Sequence, residues 1–483
     1  MPVSRSKLPT NMTDNTEVLH SYTKTPFRII PSSGQGVVRS NGVTIFTLPS
    51  GKIVDLKTFR IQFLGYTNGT GAENIRFPKF TSSLIQELTI TINGQTITIP
   101  NYNIVYHAVR DFSPDYKRYV SKTTNNADPS VDTILDKVGV VTTETMHDYD
   151  ASGLTADANM CCGRKMYVID DWIGMLGSVE QSFFNTNLVG EFSVSITWAN
   201  NTVLHRHGAT ALTPEFYLDK MLGFIDVIEM KDDSYINALE SKISSGQISH
   251  LPFKHYRLHT GVATVNNKET TMRVTESTNS LDKVHFTYLP NNRTTIAPLQ
   301  LGVASLFGSV WGDGKVPDAN YNYQTLLSLG KINLLNNSQY FRRSGVGLGY
   351  NTTRDATATI TFAIDGQDVS PAMNLVSVYE ETLKANNLNY DNISGANKGI
   401  SSFEAWQRDF FLATLSTSHV GGIQQGTYCI SGIDTQATSL SIEVRVENQK
   451  VDTDTYQASL PVIITEMTQV LLVGNGRTVN IQQ

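Results

Sequence analysis

The residues best suited to chemistry are two histidine pairs, one carboxylate pair and three cysteines, and their spacing decides what each can do. His205, Arg206 and His207 form an H-x-H run. In a strand both imidazoles project to one side, ~6.6–7 Å apart, a separation that a zinc ion can bridge. Such a site needs a third ligand. None lies nearby in sequence, so the pair reads as a surface feature between two β units. His255 and His259 are four apart, but Pro252 and the β-rich surroundings argue against the helix that would join them. A strand leaves them ~13 Å apart. Asp170 and Asp171 are adjacent, and strand neighbours face opposite sides, so they cannot share a substrate. Cys161, Cys162 and Cys429 include no C-x-x-C and cannot build a disulfide framework. Buried structural thiols in a reducing compartment are the plain reading.

The glycine clusters fail as phosphate loops. Gly345, Gly347 and Gly349 form GVGLG, which is not G-x-G-x-x-G and does not sit between a strand and a helix. GSVWGDGK (308–315) has five residues between its outer glycines and Val316 after the lysine. No G-x-S-x-G elbow occurs. The sequons at Asn68, Asn336, Asn351 and Asn392 follow from an Asn/Thr-rich composition. No catalytic, cofactor-binding or metal-ligating residue is therefore expected, and the chain reads as a non-enzyme without cofactors.

The elements that position these residues are strands. Phe59, Ile61 and Phe63 alternate with Arg60 and Gln62, and Leu88, Ile90 and Ile92 with Thr89 and Thr91. The same period runs through 192–198 and 440–446, as half-buried antiparallel strands require. Helical stripes are short: Tyr102, Val105, Tyr106, Val109 and Phe112; Tyr235, Ile236, Leu239 and Ile243; Val376, Tyr379 and Leu383. The 483 residues carry 38 basic and 44 acidic side chains, a net charge of −6, which gives no basic footprint for nucleic acid. No stretch approaches the ~18 uninterrupted apolar residues of a membrane helix. The first residues, Met1 to Thr10, show no signal-peptide pattern.

The chain repeats itself. ELTITINGQTITIPNYNIVYHAVRDF (87–112) is echoed by TITFAIDGQDVSPAMNLVSVYEETL (359–383). Asn93-Gly94 and Asp365-Gly366 are the dipeptides favoured in type I′ turns, whose central positions need φ > 0. A two-residue turn sets Ile90 opposite Ile97 and Leu88 opposite Ile99. In the second copy it sets Phe362 opposite Val369 and Ile360 opposite Pro371. A proline then ends each hairpin, and a helix follows, from Asn101 and from Ala372. The expected division is an arm over 1–19, a first sandwich over 20–211 and a second over 212–483. Residues 113–160, 291–356 and 386–438 are long polar insertions.

These segments resemble the double jelly-roll major capsid proteins, most of all those of polinton-like viruses and virophages. The resemblance rests on SLIQELTITINGQTITIPNYNIVYHAVRDF (83–112) and DDWIGMLGSVEQSFFNTNLVGEFSVSITWAN (170–200). It rests also on LDKMLGFIDVIEMKDDSYINALES (218–241), similar to the strand and helix that open the second roll, and on LPVIITEMTQVLLVGNGRTVNI (460–481). Together they cover about a quarter of the chain, in the expected order, and none is a catalytic signature. The resemblance implies an all-β fold of two tandem eight-stranded antiparallel jelly rolls with short helices and long loop insertions. It implies a shell subunit of a DNA virus, made inside the host cell, that forms pseudo-hexameric homotrimers tiling an icosahedral virion. Its partners would be other copies of itself, penton and minor capsid proteins and an internal membrane, without sequence-specific nucleic-acid binding.

Arg5 and Lys7, with Lys24 and Arg28 further on, read as a faintly basic arm that could touch such a membrane or a minor protein. A reading of another class is a tandem β-sandwich that binds or cleaves glycans. Tyr321, Tyr323, Tyr340, Phe341 and Tyr350 could stack on sugar rings, or equally pack between subunits.

Overall fold

Strict alternation over Phe192–Trp198 places Phe192, Val194, Ile196 and Trp198 on one buried face and leaves Ser193, Ser195 and Thr197 half-buried on the other. The same patterning builds most of the structure, a computed structural model. It describes residues 22–67, 74–76, 81–110, 162–179, 183–207, 215–230, 248–262, 269–290, 300–301, 358–388, 411–418, 432–436, 440–448, 459–474 and 478–482. Positions 35, 204 and 387 are excepted, and 237, 241, 245, 246, 403 and 406 are added.

The first half contributes β1 (Tyr22–Ile29), β2 (Val43–Thr47), β3 (Ile53–Thr67), β4 (Ile85–Ile92), β5 (Gln95–Pro100), β6 (Cys162–Ile169), β7 (Phe192–Trp198) and β8 (Phe216–Met230). These form two antiparallel sheets, ordered β1-β8-β3-β6 and β2-β7-β4-β5. The second half contributes β9 (Ser249–Thr260), β10 (Thr270–Thr275), β11 (Leu281–Pro290), β12 (Thr359–Ile364), β13 (Gln367–Asp368), β14 (Ala413–Ser416), β15 (Ser441–Glu447) and β16 (Ser459–Gly474). Their sheets run β9-β16-β11-β14 and β10-β15-β12-β13, the same order strand for strand. A last strand, β17 (Thr478–Gln482), extends the second half by pairing with β16. In each half the last of eight strands inserts between the first and the third, the order of a jelly roll. Helix α1 (Tyr102–Arg110) follows β5 and helix α2 (Leu375–Ala385) follows β13, so the helices repeat as well.

This order moves one expected boundary. The strand of 216–230, read as opening a second unit at 212, is hydrogen-bonded between β1 and β3 and closes the first unit. The chain changes sandwich between Met230 and Ser249. Three short strands join the halves: His205–His207 pairs antiparallel with Asn74–Arg76 and parallel with Gln300–Leu301. The H-x-H run is thus a strand lying between segments of both halves.

The turns behave as their sequences require. Asn93 and Gly94 have φ of 46° and 84°, and Asp365 and Gly366 have 53° and 75°. Ile90 faces Ile97 and Leu88 faces Ile99, all on the core face. The second hairpin departs from its expected register after the turn. The Phe362 carbonyl accepts from both the Val369 and the Ser370 amides, and Ile360 faces Met373 rather than Pro371. Proline has no N–H for the ladder. The chain bulges there instead, and the Ser370 hydroxyl accepts the Phe362 amide at 2.9 Å. Val369 is left 47 % exposed and Met373 takes the core position.

The core runs through both sandwiches as one connected body. Three fully buried indoles hold it by their N–H groups: Trp172 donates to the Phe59 carbonyl at 2.7 Å, Trp198 to the Thr44 hydroxyl at 2.9 Å and Trp406 to the Leu412 carbonyl at 3.1 Å. Tyr102, Val105 and Tyr106 of α1 are buried as their spacing predicts. On α2 the buried stripe is Leu375, Val378, Tyr379, Thr382 and Leu383, while Val376 points outward at 51 % exposure. That helix begins at Leu375, not Ala372, because Asn374 caps it by accepting the Ser377 amide. The stripe from Tyr235 to Ile243 and Phe112 lie outside the described residues.

Gly94 and Gly366 have open space around the position a Cβ would take, so only their positive φ resists substitution. Gly94→Val and Gly366→Val should each cost about 2 kcal/mol, as a β-branched residue held in left-handed backbone does. Chemical denaturation of the two variants is expected to give similar losses.

Candidate functional site

Two clusters of charge occupy corresponding places in the two sandwiches. In the first, the Lys24 ammonium on β1 reaches Asp55 of β3 at 2.8 Å and Asp226 of β8 at 3.4 Å. In the second, Lys254 on β9 reaches Asp282 of β11 at 2.8 Å and Glu466 of β16 at 3.3 Å. The ladders make these lysines equivalent: Lys24 faces Ile228 and Lys254 faces Thr468, in each case two residues beyond the strand-eight acid. Only the third-strand aspartate differs, because Asp282 sits in a bulge of β11. A lysine of the first strand, an acid of the eighth and an acid of the third therefore form one clamp, present twice.

Their surroundings differ sharply. Side-chain exposures in the first clamp are 38, 9 and 17 % for Lys24, Asp55 and Asp226. In the second they are 10, 4 and 6 % for Lys254, Asp282 and Glu466. The buried clamp is correspondingly better satisfied. Asp282 also accepts from the Ser280 hydroxyl at 2.7 Å and the Thr468 hydroxyl at 2.6 Å, and Ser280 in turn accepts the Gly432 amide. Lys283 lies 3.8 Å from Glu466 and donates to Asn386 just past α2. Burial opposes ionisation of Glu466, but Lys283 and Lys254 outweigh it and hold the carboxyl far below its ordinary range. Burial likewise opposes charge on Lys254, and Glu466 and Asp282 reverse it, keeping the ammonium charged.

The histidines fall into different roles. His285 is fully buried beside this clamp, with Nδ1 2.9 Å from the Thr414 hydroxyl and Nε2 3.8 Å from Glu466. Burial pushes its pKa down. His255 is buried too, and burial followed by the charge of Arg257 lowers it to about 4. His259 instead meets Glu276, whose side chain is fully buried and also accepts from Arg257 and the Thr465 hydroxyl. Burial raises the Glu276 carboxyl, and these partners more than reverse it. His255 and His259 lie in one strand, β9, as the sequence spacing requires.

Asp171 accepts the Tyr106 hydroxyl at 2.6 Å, so it anchors α1 to the end of β6. Lys24 and Arg28, read as part of a basic arm, are instead strand residues of β1. Cys162 begins β6. Cys161, Cys429, the glycine clusters, the sequons, Arg5, Lys7 and the five loop aromatics lie outside the described residues. Among the described residues no group of His, Cys, Asp and Glu could hold a metal, and no helix is long and apolar enough to cross a membrane. A groove of about 660 Å³ is lined by residues 258–262 and 270–275 with Pro461, and His259 carries the one ring among them besides that proline.

The outer face of the β1-β8-β3-β6 sheet carries the first clamp. Lys24, Pro26 and Arg28 are exposed, and Arg60, Leu222, Phe224 and Asp226 are half-buried, with the Arg60 guanidinium 5.5 Å from the Phe224 ring centre. Met166 is 42 % exposed on this face, while Phe27, 43 % exposed, lies on the other face of β1 opposite Ile225.

Solved structures share this architecture. The PBCV-1 VP54 structure fitted into a cryo-EM reconstruction of the virophage Sputnik superposes with a TM-score of 0.56 at 11 % identity, over 96 % of this chain and 97 % of that one. The fold is the double jelly roll. The Sputnik virophage structure solved by cryo-EM gives 0.53 at 12 % identity, over 95 % of this double jelly roll and 88 % of that chain. The Faustovirus major capsid protein gives 0.53 at 7 % identity, over 98 and 93 %. No family model matches the sequence, and no curated protein matches it either.

Removing a buried partner leaves an unpaired charge, which costs about 3–5 kcal/mol. Lys254→Ala should lose that much in urea or guanidinium unfolding. Lys384→Ala, which breaks an exposed pair with Glu381, should lose less than ~1 kcal/mol.

Acid should destabilise the chain. His255 and His285 take up protons less readily when folded than unfolded, so their stabilisation begins to be lost as pH falls below the ordinary value of 6.5. For His255 the loss is complete near pH 4 and is on the order of 3 kcal/mol. Glu466, depressed in the fold, adds a further loss in the same direction below its ordinary 4.5. Thermal unfolding midpoints should therefore fall steadily from pH 7 to pH 4, and His255→Phe should flatten that slope.

Proposed function

We propose that the chain is the major subunit of an icosahedral viral shell, assembling as a pseudo-hexameric homotrimer and acting by self-association rather than chemistry. The observation that carries this is the duplication itself: two sandwiches with identical strand order and the same charge clamp, joined by a continuous core. Three such chains in a ring present six like units, and one kind of heterologous contact closes the ring. A hexagonal outline of that sort can tile a closed surface. The structural neighbours are a capsid protein by description in one case and virion structures in others, which supports the same reading.

The surface chemistry suits it. A net charge of −6 over 483 residues limits repulsion between many like copies. It also supplies no excess of cations with which to wrap nucleic acid. The virion is accordingly the place of action, with penton and minor capsid proteins and an internal membrane as further partners. The aromatic residues on which the glycan reading rests, Tyr321, Tyr323, Tyr340, Phe341 and Tyr350, lie outside the described residues.

Light scattering on the chromatographed protein should give roughly 160 kDa, three times the 53.3 kDa chain. Negative-stain images should show pseudo-hexagonal particles or shells. A chain that stays monomeric at micromolar concentration in physiological salt, and never forms shells, would defeat the proposal.

A further inference from the structure

We infer that the buried clamp of the second sandwich is a bond-forming site, at which the Lys254 amine and the Asp282 carboxyl condense to an isopeptide with Glu466 carrying the proton. The product is a covalent staple between β9 and β11, made by the chain on itself with the loss of one water.

Placement is the first support. The Lys254 ammonium lies 2.8 Å from Asp282 Oδ2 and 3.3 Å from Glu466 Oε1. Nucleophile, electrophile and proton acceptor are thus in contact before any reaction, the arrangement in which effective molarities become large. The three side chains are buried, and the Ser178 hydroxyl of the first sandwich accepts the Lys254 amide above them. An amide is polar but uncharged, so joining the side chains removes a buried ion pair whose desolvation is costly. Charge balance survives the change. Lys254 and Lys283 offset Asp282 and Glu466 beforehand; afterwards Lys283 still offsets Glu466, 3.8 Å away.

Two hydroxyls stand where the reaction needs donors. Ser280 donates to Asp282 Oδ1 at 2.7 Å and is itself fixed by the Gly432 amide at 3.0 Å. Thr468 donates to Oδ2 at 2.6 Å. Lys254 passes one ammonium proton to Oδ2, and the neutral Nζ attacks Cγ of the resulting acid. Negative charge grows on Oδ1, against the Ser280 hydroxyl. With Lys254 neutral, one of the two cations holding Glu466 ionised is gone, and burial favours its protonated form. Nζ therefore yields a second proton to Glu466, which hands it to the Oδ2 hydroxyl. The Cγ–Oδ2 bond breaks, Oδ2 leaves as water, and the amide keeps the last proton on Nζ. Glu466 ends ionised as it began, and nothing is oxidised or reduced.

Strand β16 lies between β9 and β11 in the sheet, with Thr468 facing Lys254. The bond passes over β16 there and locks the strand whose insertion closes the second sandwich. The first clamp supplies a contrast. Lys24 also stands 2.8 Å from Asp55, but at 38 % exposure water solvates its ammonium, and the ion pair is the stable state.

Mass spectrometry of the full chain, held folded at neutral pH for several days and then denatured, tests this. The wild type should be lighter than its sequence mass by one water, about 18 Da. Trypsin should release residues 243–257 joined through Lys254 to residues 274–283 through Asp282, because acylated Lys254 resists cleavage. That branched peptide distinguishes the isopeptide from a succinimide at Asp365-Gly366, which also loses water. Lys24 and Asp55 should stay separate. Glu466→Gln should slow the joining at least ~100-fold, as loss of a proton carrier does. A purely electrostatic clamp leaves the wild-type peptides 243–257 and 274–283 apart, and that result overturns the proposal whether or not the variant folds. A branch that forms as fast in folded Glu466→Gln overturns the role given to Glu466.

Discussion

A jelly roll closes only when its last strand slides between its first and its third, and in this chain that insertion happens twice. Strands β8 and β16 are fifteen and sixteen residues long, and each supplies the ladder for two neighbours far away in sequence. Everything else depends on the insertion. It brings Lys24 to Asp55 and Asp226, and Lys254 to Asp282 and Glu466. Because the partners come from first, third and eighth strands, the clamp forms only in the correct strand order. It therefore acts against alternatives, such as a strand slipped by one residue, which would send the lysine to the other face. A buried ion pair adds little net stability over apolar packing, but a misplaced one is costly. That asymmetry favours one arrangement over its near neighbours.

The two copies show how environment sets what a charge cluster needs. Around Lys254 the acids are dry, and each oxygen must find a donor within the protein. Ser280 and Thr468 supply them to Asp282, while Lys283 stands 3.8 Å from Glu466 as a charge partner. Around Lys24 water reaches the ammonium, and the extra donors are fewer: Arg60 stands 3.9 Å from Asp226 and an oxygen of Asp55 is buried without a partner. The difference tracks what lies on top. The first sandwich covers the second clamp at Ser178, while the first clamp faces outward in a single chain.

Much of the fold was legible because local rules decided it. The type I′ dipeptides Asn93-Gly94 and Asp365-Gly366 fixed both turns, and in the first hairpin the turn also fixed the register of Ile90 and Leu88. The second hairpin broke that rule at Pro371, where the missing amide was readable but the compensating bulge at Ser370 was not. The strand of 216–230 carries the alternation of an edge-to-core strand and nothing that says which sheet it joins. Sheet membership is a long-range property, set by which edge is left to fill. The clamps were invisible for the same reason. Lys24, Asp55 and Asp226 are single charges in three separate amphipathic runs, and only the ladder makes them neighbours. A repeat search on strands alone would pair β1 with β9 and so align the two lysines; a search for chemical motifs would not.

Divergence within the duplication has a physical direction. Ile228 and Thr468 are equivalent positions beside the two lysines, yet one is aliphatic and the other donates to Asp282. Phe224 and Ile464 are equivalent, and the half-exposed member is the aromatic one, stacked under Arg60. A site sealed within one chain can rely on fixed hydroxyl donors, since its partners never leave. A site open to water needs side chains that tolerate solvent. An arginine over an aromatic ring meets that condition, its guanidinium solvated while it shields the ring face. The residue differences between the clamps thus follow their exposure, one sealed within the chain and the other open to water.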